Sequence, residues 1–203
     1  MRAGSQEQRG RARQRARTRR LILEAALRLL HEGTIPSVED AAAEADVSPA
    51  TGYRYFPSRA ALLSAAVEAA FPAEIERQLS GSARERLEQV IETGFPRLIA
   101  NEVFDRAVLR LALDQWLERR AGREPREQPV ERPGRKPLVA AIIEPLEQSL
   151  APEQLRRLEL ALAMILGIES YVALSDIYGV EPEEAQELWR WTCTSLLDAA
   201  LGG

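Results

Sequence analysis

The sequence SVEDAAAEADVSPATGYRYFPSR, at residues 37–59, contains the start signals of two short helices. Ser37 is followed three residues later by Asp40, an imperfect form of the capping box that begins many helices. Ser48 precedes Pro49; serine is a preferred N-cap, and proline suits the first helical position. Only a tight turn separates the two helices. This spacing is that of a helix-turn-helix, in which the second helix enters the major groove of DNA.

The turn between these helices, residues 45–48, departs from the usual pattern at one position. Asp46 stands where such turns usually have glycine, but aspartate tolerates a left-handed backbone better than most residues. Val47 and Phe56 are expected to point into a small core. The residues small enough to let the two helices cross closely are Ala41, Ala42 and Ala45.

The second helix displays side chains that commonly bind phosphates. Its polar and aromatic residues are Thr51, Tyr53, Arg54 and Tyr55. Hydroxyl groups, basic side chains and helix N-termini are frequent phosphate ligands. This display favours DNA binding over the alternative of a plain helical hairpin.

The apolar spacing is helical in almost all of the chain. One stripe consists of Ile22, Ala25, Ala26, Leu29 and Leu30, and Gly33 ends that helix. The further predicted helices cover about 59–71, 83–100, 103–120, 137–150, 153–177 and 182–201. The charged, proline-rich residues 121–137 predict a mobile loop. The predicted fold class is all-α, with an N-terminal three-helix helix-turn-helix domain and a larger C-terminal helical domain.

The composition excludes several classes of function. The 203 residues include one cysteine, Cys193, and one histidine, His31, so an intramolecular disulfide and most metal sites are excluded. The sequence has no glycine-rich phosphate loop, paired-carboxylate motif or Cys/His cluster. It therefore predicts no catalytic residue, no metal, no cofactor and no enzyme activity.

The charge is concentrated at the N-terminus. Residues 1–20 hold eight arginines and one glutamate, a net charge of +7, while the rest of the chain carries −11. Residues 21–59 alone carry −3. A basic arm on an acidic body indicates a polyanionic partner such as nucleic acid, and a solvated tail is the alternative. We expect residues 1–20 to be a disordered basic arm.

Residues 18–23, TRRLIL, imitate a twin-arginine export signal. Such a signal needs an uninterrupted apolar region, and Glu24 and Arg28 interrupt it here. No later run is long and apolar enough to span a membrane. We therefore expect a cytoplasmic protein with no membrane contact.

Residues Leu21 to Leu63 closely resemble the DNA-binding domain of the TetR (tetracycline repressor-like) family. The matching motifs are Ile22-Leu23-Glu24-Ala25-Ala26 and the run TGYRYFPSRAALL at residues 51–63. The region from Gly167 to Leu201 also resembles the last two helices of many members. The resemblance implies a transcription regulator with a DNA-binding domain at 21–59 and a ligand-sensing and dimerisation domain at 60–203.

The resemblance also implies roles for single residues. Those matching phosphate-binding positions are Ser37, Thr51, Tyr53 and Arg59. Those matching base-facing positions are Pro49, Ala50, Gly52, Arg54 and Tyr55. From their place before the first helix, Arg19 and Arg20 are expected to meet the DNA backbone beside the reading helix.

Three residues of the two short helices each allow two interpretations. Arg54 is the one long donor on the reading face, and it reads guanine or binds phosphate. Gly52 permits close approach to DNA or has no particular role. Glu39 is interpreted as a solvated carboxylate in preference to an acceptor for cytosine N4.

Residues 153–201 predict a homodimer. Trp189 and Trp191 lie about 200° apart on one helix, so the helix needs two packing partners unless one tryptophan is exposed. By resemblance, the last two helices form the interface, which suits a palindromic operator.

The middle helices contain candidate residues for an effector site. Its candidate aromatic and apolar residues are Phe71, Phe95, Phe104, Trp116, Met164 and Tyr171. The resemblance implies a cavity for a small apolar or aromatic effector that releases a repressor from its operator. An architectural DNA-binding protein without a ligand is the alternative, and activation in place of repression stays open.

Overall fold

The computed structural model describes residues 3–70, 78–123 and 135–202. The described residues form α-helices and no β-strand. The helices are α1 Ala3–His31, α2 Val38–Glu44, α3 Pro49–Tyr55, α4 Arg59–Ala70, α5 Ala83–Ala100, α6 Glu102–Arg120, α7 Arg135–Ile143, α8 Pro152–Ile165, α9 Ile168–Val172 and α10 Pro182–Leu201. The all-α prediction is confirmed.

The chain divides into two compact units. The first consists of Met1–Ala66 with Arg110–Glu131, and the second of Val67–Leu109 with Arg132–Gly203. This boundary differs from the predicted division after residue 59. The first unit continues into α4. It also includes the C-terminal part of α6, so this one uninterrupted helix carries residues of both units.

The first unit has a small core made by α1 to α4. The predicted stripe on α1 is confirmed for Ile22, Ala25, Ala26 and Leu30, which are buried, while Leu29 is half-buried. Phe56 from the end of α3 joins this core as predicted, whereas Val47 is only half-buried. Gly33, with φ +82, lies in the turn that follows α1. Glycine enters this left-handed region without the steric cost that a Cβ brings.

The N-terminal arm differs from its prediction. Residues predicted as a disordered arm over 1–20 are helical from Ala3, and they continue without a break into α1. The physical reason is composition, because alanine, arginine and glutamine have high helix propensity and dominate this stretch.

The second unit is built around α5, α7, α8 and α10. The edge of one aromatic ring meets the face of another in two pairs, Phe95 with Tyr171 and Phe95 with Trp189, at centroid distances of 5.9 and 4.9 Å. Cys193 is fully buried one helical turn beyond Trp189. Burial raises the pKa of the Cys193 thiol to about 12.

The predicted single helix at 153–177 is interrupted. α8 ends at Ile165, and Gly167 adopts an extended backbone before α9 begins. A Cβ at Gly167 would coincide with the guanidinium of Arg135, which binds Glu169. A side chain at residue 167 would therefore displace the guanidinium of Arg135 from this position.

A π-helix, Ala173–Ile177, follows α9. Arg106 of α6 donates to both carboxylate oxygens of Asp176 at 2.7 Å and to the Ser175 hydroxyl at 2.9 Å. The Arg106 guanidinium holds the pKa of Asp176 down at about 2. A charged pair therefore fixes this irregular turn.

The predicted helix at 137–150 is also shorter than expected. α7 ends at Ile143 and is followed by a 3₁₀ turn at Glu144–Leu146 that contains Pro145. Proline lacks the N–H that the helical ladder needs. Residues 124–134 of the predicted loop lie outside the described residues.

In the described ranges no single helix is both long and apolar enough to cross a membrane. The pair Pro152–Ile165 and Ile168–Ile177, bent by 50°, meets the length and composition criteria only when both parts are counted together.

Candidate nucleic-acid interface

Helix α2 begins with a complete capping box. The Asp40 backbone N–H donates to the Ser37 hydroxyl oxygen at 3.0 Å, and the Ser37 backbone N–H donates to the Asp40 carboxylate at 2.8 Å. The Ser37 hydroxyl also donates to Asp40 at 2.7 Å. These bonds hold the pKa of Asp40 below its ordinary value, the backbone N–H of Ser37 being the largest cause. Ser37, predicted to bind phosphate, uses its proton here for the cap.

The turn has the predicted geometry. Asp46 has φ +55, so the left-handed position expected for this aspartate is confirmed. The Ser48 hydroxyl accepts from the Thr51 backbone N–H at 3.3 Å and lies 3.0 Å from the Thr51 hydroxyl. α3 therefore starts at Pro49 with its first turn capped.

Gly52 lies at the crossing of α2 and α3. It is buried, and a Cβ placed on it would stand 3.0 Å from the Ala42 Cβ and 3.2 Å from a Val38 methyl group. The assignment of Gly52 to the base-facing surface is therefore wrong. The close approach that requires glycine is made to α2 and not to DNA.

The opposite face of α3 is exposed. Its exposed residues are Pro49, Ala50, Tyr53 and Arg54. Thr51 and Tyr55 are half-buried, and the Arg54 guanidinium lies 5.3 Å from the centre of the Tyr55 ring. One short helix thus separates a packed face from a polar face that carries a long cationic side chain.

Arg59 makes a contact within the protein. It donates to the Ile35 carbonyl oxygen at 2.9 Å, and its side chain is half-buried. Its Nε is buried without a hydrogen-bond partner among the described residues. Arg59 therefore holds the connection between α1 and α2, a role that the predicted phosphate contact did not include.

Three arginines of α1 have partners within the first unit. The Arg19 guanidinium lies 5.1 Å from the centre of the Phe56 ring, and Arg20 pairs with Glu24 at 3.4 Å. Arg28 pairs with Glu44 of α2 at 3.2 Å. The basic part of α1 is therefore attached to the same small unit that presents α3.

Sequence reasoning missed one contact on the exposed face. The Tyr53 hydroxyl donates to Glu39 of α2 at 2.5 Å. This bond is the largest cause that holds the pKa of Glu39 below its ordinary value. The two residues are fourteen positions apart on different helices, so helical periodicity gave no signal for the pair.

The predicted effector residues fall into separate places. Phe95, Phe104 and Tyr171 are buried, and Phe71 lies outside the described residues. Trp116 and Met164 are 54% and 72% exposed, so their placement in an enclosed cavity is wrong. Their place on the middle helices does not by itself distinguish an inward-facing from an outward-facing side chain.

The last helix has two distinct faces. Trp189 is 5% exposed and Trp191 is 67% exposed within the single chain. Leu188 is also exposed on α10, as are Leu160 and Met164 on α8. Leu201 of α10 is exposed as well. We call the exposed apolar side chains of these two helices the α8–α10 apolar face, namely Leu160, Met164, Leu188, Trp191 and Leu201.

A capped helix, a left-handed turn residue and a second helix with an exposed polar face define a helix-turn-helix DNA-binding protein. Residues 22–66 match the family model described as bacterial regulatory proteins, tetR family. Residues 22–66 are therefore similar to the DNA-binding domain of TetR-family regulators, which supports a DNA-binding transcription regulator. The predicted resemblance is confirmed.

The fold is also similar to a crystal structure of a TetR transcriptional regulator from Rhodococcus sp. RHA1. The TM-score is 0.57 and the sequence identity 20%, over 90% of this chain and 97% of that chain. No curated protein matches the sequence significantly.

Proposed function

We propose that this regulator is a cytoplasmic repressor that binds a palindromic operator as a homodimer and is released by a small apolar or aromatic effector. The observation that carries the DNA part is the exposed face of α3, where Tyr53 and Arg54 project from the last turn of a helix whose N-terminus Ser48 caps. Such a face meets both base edges and phosphates when the helix enters a major groove.

The homodimer is supported by the α8–α10 apolar face. Trp191 has two-thirds of its surface exposed in the single chain, although tryptophan gains much from burial. A second copy meeting the same residues forms a two-fold interface that hides them in both chains. Two heads related by this symmetry suit an operator whose half-sites are inverted repeats.

The basic part of α1 supports a polyanionic partner. Arg13, Arg15 and Arg17 are exposed, and the helix-turn-helix region itself is acidic. Without these arginines the head lacks the positive charge that nucleic-acid affinity usually requires. The arm is therefore the main electrostatic contact in this proposal.

The effector is the least specific part of the proposal. Phe95, Tyr171 and Trp189 form an aromatic group in the second unit, and such groups favour flat apolar molecules. Release requires that effector and operator weaken each other's binding by the same factor. A compound that raises the melting temperature and leaves operator affinity unchanged binds without inducing.

The decisive test is selection of bound DNA from a random pool, with Arg54→Ala selected in parallel. We expect an inverted repeat for the natural chain and a loss of preference at one base pair per half-site for the variant. Recovery of DNA without any consensus supports the architectural alternative and contradicts operator recognition.

A further inference from the structure

The contact between Tyr53 and Glu39 lies on the exposed side of the helix-turn-helix. The Tyr53 hydroxyl donates to Glu39 Oε1 at 2.5 Å, and both residues are exposed. The bond keeps the pKa of Glu39 below its ordinary value, so the carboxylate is ionised at neutral pH. The surface that the proposed function turns towards DNA thus carries a full negative charge bound to a tyrosine hydroxyl.

A tyrosine hydroxyl has a single proton to donate. A phosphate diester is ionised and offers only acceptor oxygens, so it needs that same proton. Tyr53 therefore binds a DNA phosphate only after its proton leaves Glu39. The carboxylate that remains has lost its hydrogen bond and stands near a second negative charge.

We propose that Glu39 competes with DNA phosphate for the Tyr53 proton and so limits the affinity of each head for DNA. The inference rests on the proposed function, because it requires α3 to face DNA. Glu39 acts through Tyr53 and through its own charge, and it reads no base. Because every sequence presents the same phosphates, the competition weakens binding to operator and to unrelated DNA alike.

The test begins with Glu39→Gln, which keeps the side-chain size and an acceptor oxygen but removes the charge. We expect operator binding to tighten by about threefold per head, on the order of tenfold per dimer, as fits an exposed pair of charges. Unrelated DNA should gain by a similar factor. The matched control is Glu32→Gln, which removes the same charge from the exposed turn after α1.

A double-mutant cycle isolates the role of the proton. Tyr53→Phe is measured in the natural chain and in the Glu39→Gln background, with operator affinity as the readout. If Glu39 competes, Tyr53→Phe weakens binding more in the Glu39→Gln background, because there the hydroxyl is freer to bind phosphate. Circular dichroism melting of all variants checks that each is folded, since both side chains are exposed and support little packing.

Three results would overturn the proposal. One is an equal gain from Glu39→Gln and Glu32→Gln, which assigns the effect to net charge alone. Another is an equal cost of Tyr53→Phe in both backgrounds. The third is a change of base preference in Glu39→Gln, which makes Glu39 a reader. A natural chain that binds no DNA in the selection refutes the proposed function itself, a separate outcome.

Discussion

The reading helix α3 and the last helix α10 are built alike and exposed differently. Each buries one face, with Gly52 against α2 in the first unit and Trp189 against Phe95 in the second. The outer face of α3 carries Tyr53 and Arg54, whereas the outer face of α10 carries Leu188 and Trp191. The buried faces hold each helix in its unit. The outer faces differ in chemistry, one polar and cationic and the other apolar, so they suit different kinds of partner.

The two outer faces should respond to different perturbations. Apolar contact gains about 25 cal/mol per Å² removed from water and depends little on moderate salt. Phosphate contact releases counterions and weakens steeply as salt rises. The proposed dimer formation and DNA binding should therefore be separable by salt and by substitution.

The largest expected effect comes from placing charge on the α8–α10 apolar face. We expect Met164→Glu with Trp191→Glu to give a monomer at micromolar concentration in sedimentation. Operator binding should fall by about 10²–10⁴-fold, because two linked heads bind far more tightly than one.

The matched control for this prediction is Leu117→Glu. Leu117 is 56% exposed on α6, and it lies in the part of α6, from Arg110 on, that belongs to the first unit. The same chemical change there should leave the dimer intact. A double variant that stays dimeric would contradict the assignment of α8 and α10.

A smaller effect is expected from the basic part of α1. Deleting residues 1–17 should leave fold and dimer unchanged and weaken operator binding by on the order of 10²-fold at low salt, since each lost phosphate contact lowers the salt slope by about 0.9. Titrations at several salt concentrations measure the slope.

Replacing Arg13, Arg15 and Arg17 with glutamine refines this comparison. Glutamine keeps helix propensity and removes only charge. If the deletion flattens the salt dependence and the glutamine variant does not, the arm acts by some means other than its charge. An unchanged slope in both variants would mean that the arm does not contact DNA.

A more local effect is expected at Arg54. Arg54→Ala should cost roughly 1–3 kcal/mol at one base pair per half-site and less at unrelated DNA, if the guanidinium reads a base edge. Competition binding with single-base operator variants measures the difference. Equal weakening of all sequences would identify Arg54 as a phosphate contact.

The smallest expected effect concerns a polar contact of the second unit. Arg106 lowers the pKa of Asp176 to about 2, so this pair stabilises the fold above the ordinary aspartate pKa of 3.8. The contribution is lost as pH falls from about 3.8 to about 2.

We expect Asp176→Asn to melt slightly lower than the natural chain at neutral pH, by less than about 4 °C. The gap should close as pH falls through that window. Melting curves from pH 7 to pH 2 test this, and a gap that stays constant with pH would mean that the ionised carboxylate contributes nothing.

The sequence predicted well what depends on local signals. These signals are formed by residues that are close together in the sequence. They are the caps at Ser37 and Ser48, the left-handed Asp46 and the apolar stripe of α1. Each was therefore readable from spacing and residue type.

The sequence predicted poorly what depends on distant partners. Gly52 is explained by Val38 and Ala42 of a different helix, and the space beside Gly167 is occupied by Arg135, a residue more than thirty positions away. Helical spacing shows which residues share a face with Met164, but it does not show whether that face is buried or exposed. Only the packed structure distinguishes an inner stripe from an outer one.

Cys193 is an internal probe for opening of the second unit's core. Its thiol is fully buried, and burial raises its pKa, so thiol reagents modify it only in molecules whose core has opened. The rate of modification then counts opening events. Because Trp191 lies on the same helix, a partner chain that covers Trp191 stabilises the closed form, and modification should slow as protein concentration rises.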